Sequence, residues 1–348
     1  MNKKFYTESI FLIILGILSS LSLPPFGFFI INFFTFTLFF SFLKKKSEDN
    51  KNKKLFFFYG WLFGLGYFTT NLYWISISLT FDENFKFLIP LSLFLIPSFL
   101  SCFYGLISCL FIILKPKKIV SSFLVFSLIF GILEFIRGTI LTGFPWNLIA
   151  YSFVNQLELL SITSIIGTYG FNLFCISLFT SPAIFIFRDT KKDIVVFIFF
   201  LITFILFFVY GSSYKEKFYK EVKKEYDYKI RIIGSNVSLD RFYKNLDTKS
   251  VIQELIEISN PEINERIVFI WPEGIIPNIS QNEMTQFEDL FKKYFNENHL
   301  FIIGINSKSF KNGSEKYFNS FSVYDHKLNL LDSYNKIKLV PFGEFLPF

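Results

Sequence analysis

Long apolar runs separated by short polar patches fill the chain from Ser9 to Gly211, and the pattern then changes. A helix of about 20 apolar residues, rising 1.5 Å per residue, crosses the hydrocarbon core of a bilayer. Runs near 8–23, 26–43, 55–80, 87–114, 119–139, 159–187 and 193–211 come close enough to that length to predict seven membrane-spanning helices. Pro24-Pro25 divides the first two runs. Proline neither donates the backbone hydrogen bond nor continues a helix, so a tight helical hairpin is expected there. Beyond Tyr228 the apolar stretches shorten and alternate with amphipathic ones. Lys229–Val237, Arg266–Trp271 and Leu300–Ile305 read as strands, and Lys249–Ser259 and Gln281–Asn298 as helices. Tyr317–Asp325 and Leu328–Lys336 read as a hairpin of strands. Such alternation predicts an α/β layered domain. The expected fold is an α-helical polytopic membrane bundle over residues 1–211, followed by an α/β domain over residues 212–348.

Charge sharpens this picture. Residues 212–348 hold 19 Lys and Arg against 19 Asp and Glu, so the net charge of +7 belongs wholly to the apolar part. There it lies in Lys3 and Lys4, in the patch Lys44–Lys54, in Lys115, Lys117 and Lys118, and in Arg188, Lys191 and Lys192. The intervening connections, Pro24–Gly27, Phe81–Lys86 and the stretch after Thr142, are poor in Lys and Arg. Basic segments in alternate loops predict a cytoplasmic N-terminus. An odd number of crossings then leaves everything after Gly211 outside the inner membrane. A nucleic-acid partner is excluded, because it needs a basic face on a folded surface and not basic loops between apolar runs.

Met1–Pro25 has the basic start and apolar stretch of a signal peptide, but further spans follow and no small-residue cleavage site stands out. It is read as an uncleaved first helix. Cys102, Cys109 and Cys175 lie in apolar runs, where small apolar filling is the expected role. His299 and His326 have no neighbouring ligand types, so neither a metal nor a cofactor is expected.

Two charges, Glu134 and Arg137, fall inside the fifth span, three residues apart on one helical face. Charges at that depth face a bundle interior or a cavity. Either they form an ion pair that locks helices together, or they rim a lipid head-group site. Thr142-Gly143-Phe144-Pro145-Trp146-Asn147 follows at the outer boundary. Trp146 there is either an interfacial anchor or part of irregular backbone lining a cavity. In the outer half, Glu273 follows an apolar strand in Trp271-Pro272-Glu273-Gly274, and Lys336 stands at a strand end in Tyr334-Asn335-Lys336. A partly buried carboxylate at a strand end can act as a general base, and a nearby lysine can stabilise an oxyanion. On spacing alone, the same two residues can equally be a surface pair.

Longer motifs decide more. Trp-Pro-Glu-Gly-x-x-Pro from Trp271, and Tyr-Asn-Lys-x-x-Leu-Val-Pro-Phe-Gly-Glu from Tyr334, resemble the two motifs of the apolipoprotein N-acyltransferase branch of the nitrilase superfamily. In the apolar half, Gly64-Leu65-Gly66-Tyr67-Phe68 leading to Leu72-Tyr73-Trp74 looks like that family's helices. So do Glu134-Phe135-Ile136-Arg137-Gly138 leading to Trp146, and Ile166-Gly167-Thr168-Tyr169-Gly170. The resemblance implies a nitrilase-like α-β-β-α sandwich outside the inner membrane. It also implies a Glu-Lys-Cys triad in which Glu273 is the general base and Lys336 the oxyanion-stabilising lysine, with Glu344 as a supporting carboxylate. Trp74, Trp146, Glu134 and Arg137 become residues of a substrate or lipid groove. The implied partners are a phospholipid acyl donor and a diacylated apolipoprotein acceptor, the acyl chain passing through an enzyme thioester. The family's cysteine lies beyond the lysine motif, whereas residues 212–348 contain no cysteine. The chain is therefore expected to be a C-terminally incomplete portion of such an enzyme, inactive alone. A membrane-anchored amide hydrolase, or a non-catalytic lipid- or lipoprotein-binding membrane protein, are the alternative readings.

Overall fold

A computed structural model describes residues 3–80, 83–141, 143–221, 226–234, 247–311 and 314–340. The chain divides into two compact units, Met1–Glu221 and Val222–Phe348.

The first unit is helical, as apolar sequence requires where no water is present to satisfy backbone groups. Its helices are α1 (Lys3–Ser20), α2 (Ile31–Asp49), α3 (Lys53–Leu72), α4 (Ile89–Leu114), α5 (Ile119–Arg137), α6 (Leu157–Leu160), α7 (Thr163–Thr180), α8 (Ala183–Phe187) and α9 (Ile194–Lys220). Among the described residues, four helical stretches are long and apolar enough to cross a membrane: Glu83–Leu114, Ile119–Arg137, Thr163–Thr180 and Lys191–Lys220.

Two of the expected runs are not single helices. After Leu72 the chain tightens into a 3-10 segment, Tyr73–Thr80, so the run 55–80 changes geometry before its end. The run 159–187 is divided among α6, α7 and α8, and α7 itself is kinked at Gly167. There φ is 71°, a conformation glycine adopts without the clash of a β-carbon.

Helix packing rests on close approach at small residues, as is usual where lipid tails are as apolar as side chains. A β-carbon on Gly16 of α1 would lie 2.0 Å from the Phe63 carbonyl oxygen of α3, and one on Gly66 of α3 would lie 2.2 Å from the Ile13 oxygen of α1. On the other side of α3, a β-carbon on Gly60 would stand 2.1 Å from the Tyr104 oxygen of α4. Backbone is the obstruction in each case, so any side chain forces the helices apart. Between them lies a core of rings, including Phe39 stacked on Phe63 at 4.2 Å between centroids and Tyr104 edge-on to Phe130 at 4.9 Å. At the basic ends, the buried Lys44 amine donates to the Pro116 and Lys117 carbonyls and to Ser122 Oγ, tying α2 to the α4–α5 connection.

The second unit is built on one five-stranded mixed sheet in the order β1 (Lys229–Ile232), β2 (Ile267–Trp271), β3 (His299–Lys311), β4 (Ser314–Asp325) and β5 (Leu330–Asn335). The first three are parallel, and β3, β4 and β5 form an antiparallel meander. Period-two alternation sends Ile267, Phe269, Trp271, Phe301, Ile303 and Ile305 to one face. That face is covered by α10 (Thr248–Ser259) through Val251, Ile252, Leu255 and Ile256. The Trp271 indole N–H donates to Ser259 Oγ (3.0 Å), satisfying the polar end of the largest ring in this core. The strand predicted over Lys229–Val237 is seen as far as Ile232, and residues 235–237 lie outside the described residues.

The predicted helix Gln281–Asn298 is replaced by a 3-10 segment, Gln281–Phe287, and a single turn, α11 (Glu288–Phe291). Ser280 and Glu283 cap each other reciprocally, and the Glu283 N–H bonds back to the Ser280 carbonyl, closing the first turn at i to i+3. Met284, Phe291 and Phe295 still reach the core, so the apolar spacing that suggested a helix is met by a looser path. His299 begins β3 in the interior, its Nδ1 accepting from the Asn296 N–H (3.1 Å) and its Nε2 lying 3.2 Å from the Glu262 carbonyl. Burial pushes its pKa down, so the ring is a neutral core residue.

Candidate functional site

The outer face of the sheet carries the first group of residues singled out by sequence. β2 ends at Trp271, and the chain then turns across the neighbouring strand. A β-carbon on Gly304 of β3 would lie 2.5 Å from Glu273 Cα and 2.7 Å from its backbone nitrogen. Glycine at that strand position is what lets the Trp271-Pro272-Glu273 segment lie down on the sheet. Gly274, with φ of 66°, completes the turn.

Two strands away, β4 and β5 deliver the partners. Phe321 is opposite Tyr334 and Ser320 opposite Asn335, so Asn319, Phe321, Tyr334 and Lys336 share the face onto which Glu273 folds. Lys336 Nζ lies 3.5 Å from Glu273 Oε1, and the Asn319 amide donates to the same oxygen. The Lys336 N–H bonds the Asn319 carbonyl at 2.8 Å, extending the ladder by one residue. Together with Gly304 these residues line an open pocket of about 170 Å³. The partial burial asked of Glu273 is not supplied by the described residues, since its side chain is 62% exposed and that of Lys336 is 32% exposed.

On the opposite face, directly behind the pocket, Ser307, Ser320 and Asn335 form a hydrogen-bonded cluster. The two hydroxyls are 2.6 Å apart, and Ser320 donates to Asn335 Oδ1 at 2.7 Å. Asn335 precedes Lys336, so this cluster pins the strand end that carries the lysine. Sequence reasoning missed Gly304, Asn319 and this serine-asparagine cluster. The available signal was Asn319 inside a strand, where asparagine is disfavoured. Glu344 lies outside the described residues.

The second group sits in the helical unit. Glu134 and Arg137 are both fully buried and pair bidentately: Nε donates to Oε1 at 3.0 Å and Nη2 to Oε2 at 2.8 Å. Both stand on α5, and the Arg137 guanidinium also lies over the Phe68 ring of α3, 5.3 Å from its centroid. Neither side chain has an exposed edge to offer a head group. The remaining Arg137 donor, Nη1, reaches the Phe144 and Trp146 carbonyls at 2.8 and 2.9 Å. Above them, Trp146 stacks on Trp74 with centroids 5.0 Å apart and planes 25° apart, and both indoles are partly exposed. Structure thus brings Trp74 and Trp146 together at the surface and places the ion pair beneath them. The cysteines are scattered among α4 and α7, Cys175 fully buried and Cys102 and Cys109 half-buried.

Comparison with known proteins adds what geometry does not. The family model of the apolipoprotein N-acyltransferase N-terminal domain matches residues 15–181. An apolipoprotein N-acyltransferase of Rickettsia prowazekii is 30% identical over 352 residues, covering 98% of this chain and 67% of that protein. Those of Rhodopseudomonas palustris and of Rhizobium leguminosarum bv. trifolii are 28% and 26% identical, each covering 99% of this chain and 66% of the relative. The chain thus spans about two thirds of the length of the curated relatives it matches. Similarity at this level runs through both units, from the apolar helices to the strands that carry Glu273 and Lys336, and the chain belongs to the apolipoprotein N-acyltransferase family.

Proposed function

We propose that this chain provides the membrane bundle, residues 1–211, and the base and lysine of the outer nitrilase-like domain, residues 212–348, of an apolipoprotein N-acyltransferase. The observation that carries the reading is the convergence of Glu273 and Lys336, from two separate motifs, on one pocket at the ends of β2 and β5. In the proposed reaction Glu273 takes the proton from a cysteine thiol. The thiolate attacks the ester carbonyl of a phospholipid acyl chain, Lys336 stabilises the oxyanion, and a lysophospholipid leaves. The acyl group then passes from the thioester to the α-amine of a diacylglyceryl-cysteine at the N-terminus of a lipoprotein, forming an amide and releasing the cysteine with its proton restored. Trp74 and Trp146 belong to a lipid groove of the membrane bundle, and Glu344 supports the base. No cysteine occurs in residues 212–348, so neither Glu273 nor Lys336 has its thiol among these residues.

The test is direct. Incubating the full-length gene product with a phospholipid labelled in its acyl chain should leave hydroxylamine-labile label on the protein. Labelled free fatty acid with no acyl-protein would overturn the reading in favour of a hydrolase.

Seven spans and an inner-membrane location with a cytoplasmic N-terminus complete the proposal. The basic residues of alternate loops support it. A reporter that works only outside the inner membrane should be active when fused after Phe348 and silent when inserted at Asn50. The reverse pattern would overturn the topology.

A further inference from the structure

Burying an ion pair in an apolar bundle is costly, and two apolar side chains of the same volume usually hold helices at least as well. Glu134 and Arg137 sit three residues apart on one helix, so the bonds between them join no second helix, and Arg137 meets α3 by lying over the Phe68 ring. What the pair does contribute is direction. Glu134 engages Nε and Nη2, which orients the guanidinium plane and aims Nη1 at the two carbonyls that flank Pro145. The Tyr67 hydroxyl donates to the next carbonyl, Asn147, at 2.8 Å. Three acceptors of an irregular loop, at residues 144, 146 and 147, are thus held by donors that belong to the bundle interior.

The loop has little freedom left. Gly143, with φ of 87°, folds it back until a β-carbon there would lie 2.4 Å from the Gly138 oxygen, and Asn147 is left-handed at φ of 59°. Trp146 projects outward from it, and that indole is held flat against Trp74.

We propose that Glu134, Arg137 and Tyr67 are positioning residues, a buried clamp that fixes the Phe144–Asn147 backbone and thereby holds Trp146 against Trp74 as a rigid aromatic surface for a phospholipid acyl chain. The identity of the lipid as occupant rests on the function proposed above; the clamp itself rests on the geometry of the loop.

The chain contains four tryptophans, which makes fluorine NMR of the fluorotryptophan-labelled full chain in lipid nanodiscs a suitable test. Trp61 and Trp271 lie elsewhere in the structure, at Ser98 and in the sheet core, and report whether each unit remains folded. In the neutral replacement Glu134→Gln/Arg137→Met, the Trp74 and Trp146 signals should shift together and narrow toward those of a free indole, while the other two stay in place. Tyr67→Phe should give the same selective change with a smaller shift. If the double replacement moves all four signals, Arg137→Lys decides the matter. It keeps a cation for Glu134 but, with one nitrogen, fails to reach both carbonyls, and the selective shift is again expected. Unmoved Trp74 and Trp146 signals in a folded variant would overturn the clamp. A phospholipid spin-labelled along its acyl chain should broaden these two signals in the unmodified protein. Selective shifts in the variants without that broadening would keep the clamp and overturn the lipid as its occupant.

Discussion

Replacing Glu273 by Gln in the full-length gene product is expected to lower thioester formation by about 10²–10⁴-fold at neutral pH, the usual contribution of a positioned general base. A thiol of ordinary pKa, about 8.5, is only a few per cent ionised at pH 7, and the amide cannot accept its proton. Lys336→Ala should cost about 10²–10³-fold, the typical effect of losing one oxyanion donor. The two losses should differ in their response to pH. Raising the pH generates thiolate without a base, so Glu273→Gln should recover in part, whereas Lys336→Ala should not. Neither replacement should alter the melting of the protein appreciably. The pair is largely open to water, and exposed ion pairs contribute about 0–1 kcal/mol. Loss of activity together with loss of fold would mean that the pair is structural, and full activity in Glu273→Gln would mean that the base lies elsewhere.

Much of this arrangement was legible in the sequence, for identifiable reasons. Ile267–Trp271 and Leu300–Ile305 are apolar at every position or nearly so, which is the mark of strands in the interior of a parallel sheet, and both pair as β2 and β3. Glu273 was found because it stands just past such a strand, and Lys336 because it lies in the motif that begins at Tyr334. Their mutual approach was not readable, because it depends on Gly304 admitting the Glu273 backbone and on the register that sets Ser320 opposite Asn335. Register is a long-range property that no local pattern of residue types encodes. The failed helix at Gln281–Asn298 has the opposite origin. Its apolar spacing is real, but the Ser280–Glu283 capping box closes the first turn tightly and packing of Met284, Phe291 and Phe295 then guides the chain. In the apolar half, hydrophobic runs located the helices but not the breaks at Leu72 and Gly167, where apolar composition continues while the geometry changes.

The pair in α5 leads to the largest expected effect on stability. Arg137→Ala removes the cation that pairs with Glu134 and strands a carboxylate that is 0% exposed. Breaking a buried pair from one side typically costs about 3–5 kcal/mol, because the surviving charge keeps its desolvation penalty and loses its compensation. The Phe144 and Trp146 carbonyls lose a donor at the same time. Removing both charges is a different experiment. Glu134→Gln/Arg137→Met leaves no ion in the apolar interior, so most of the loss should be recovered, and the coupling between the two positions should be strongly favourable in a double-mutant cycle. Denaturant titration of the bundle in detergent micelles, followed by circular dichroism, measures all three variants. Arg137→Ala as stable as the unmodified protein would show that Glu134 is neutral in the bundle or that water reaches it. The double replacement as unstable as Arg137→Ala would show that the charges hold the fold itself and not only the loop above them.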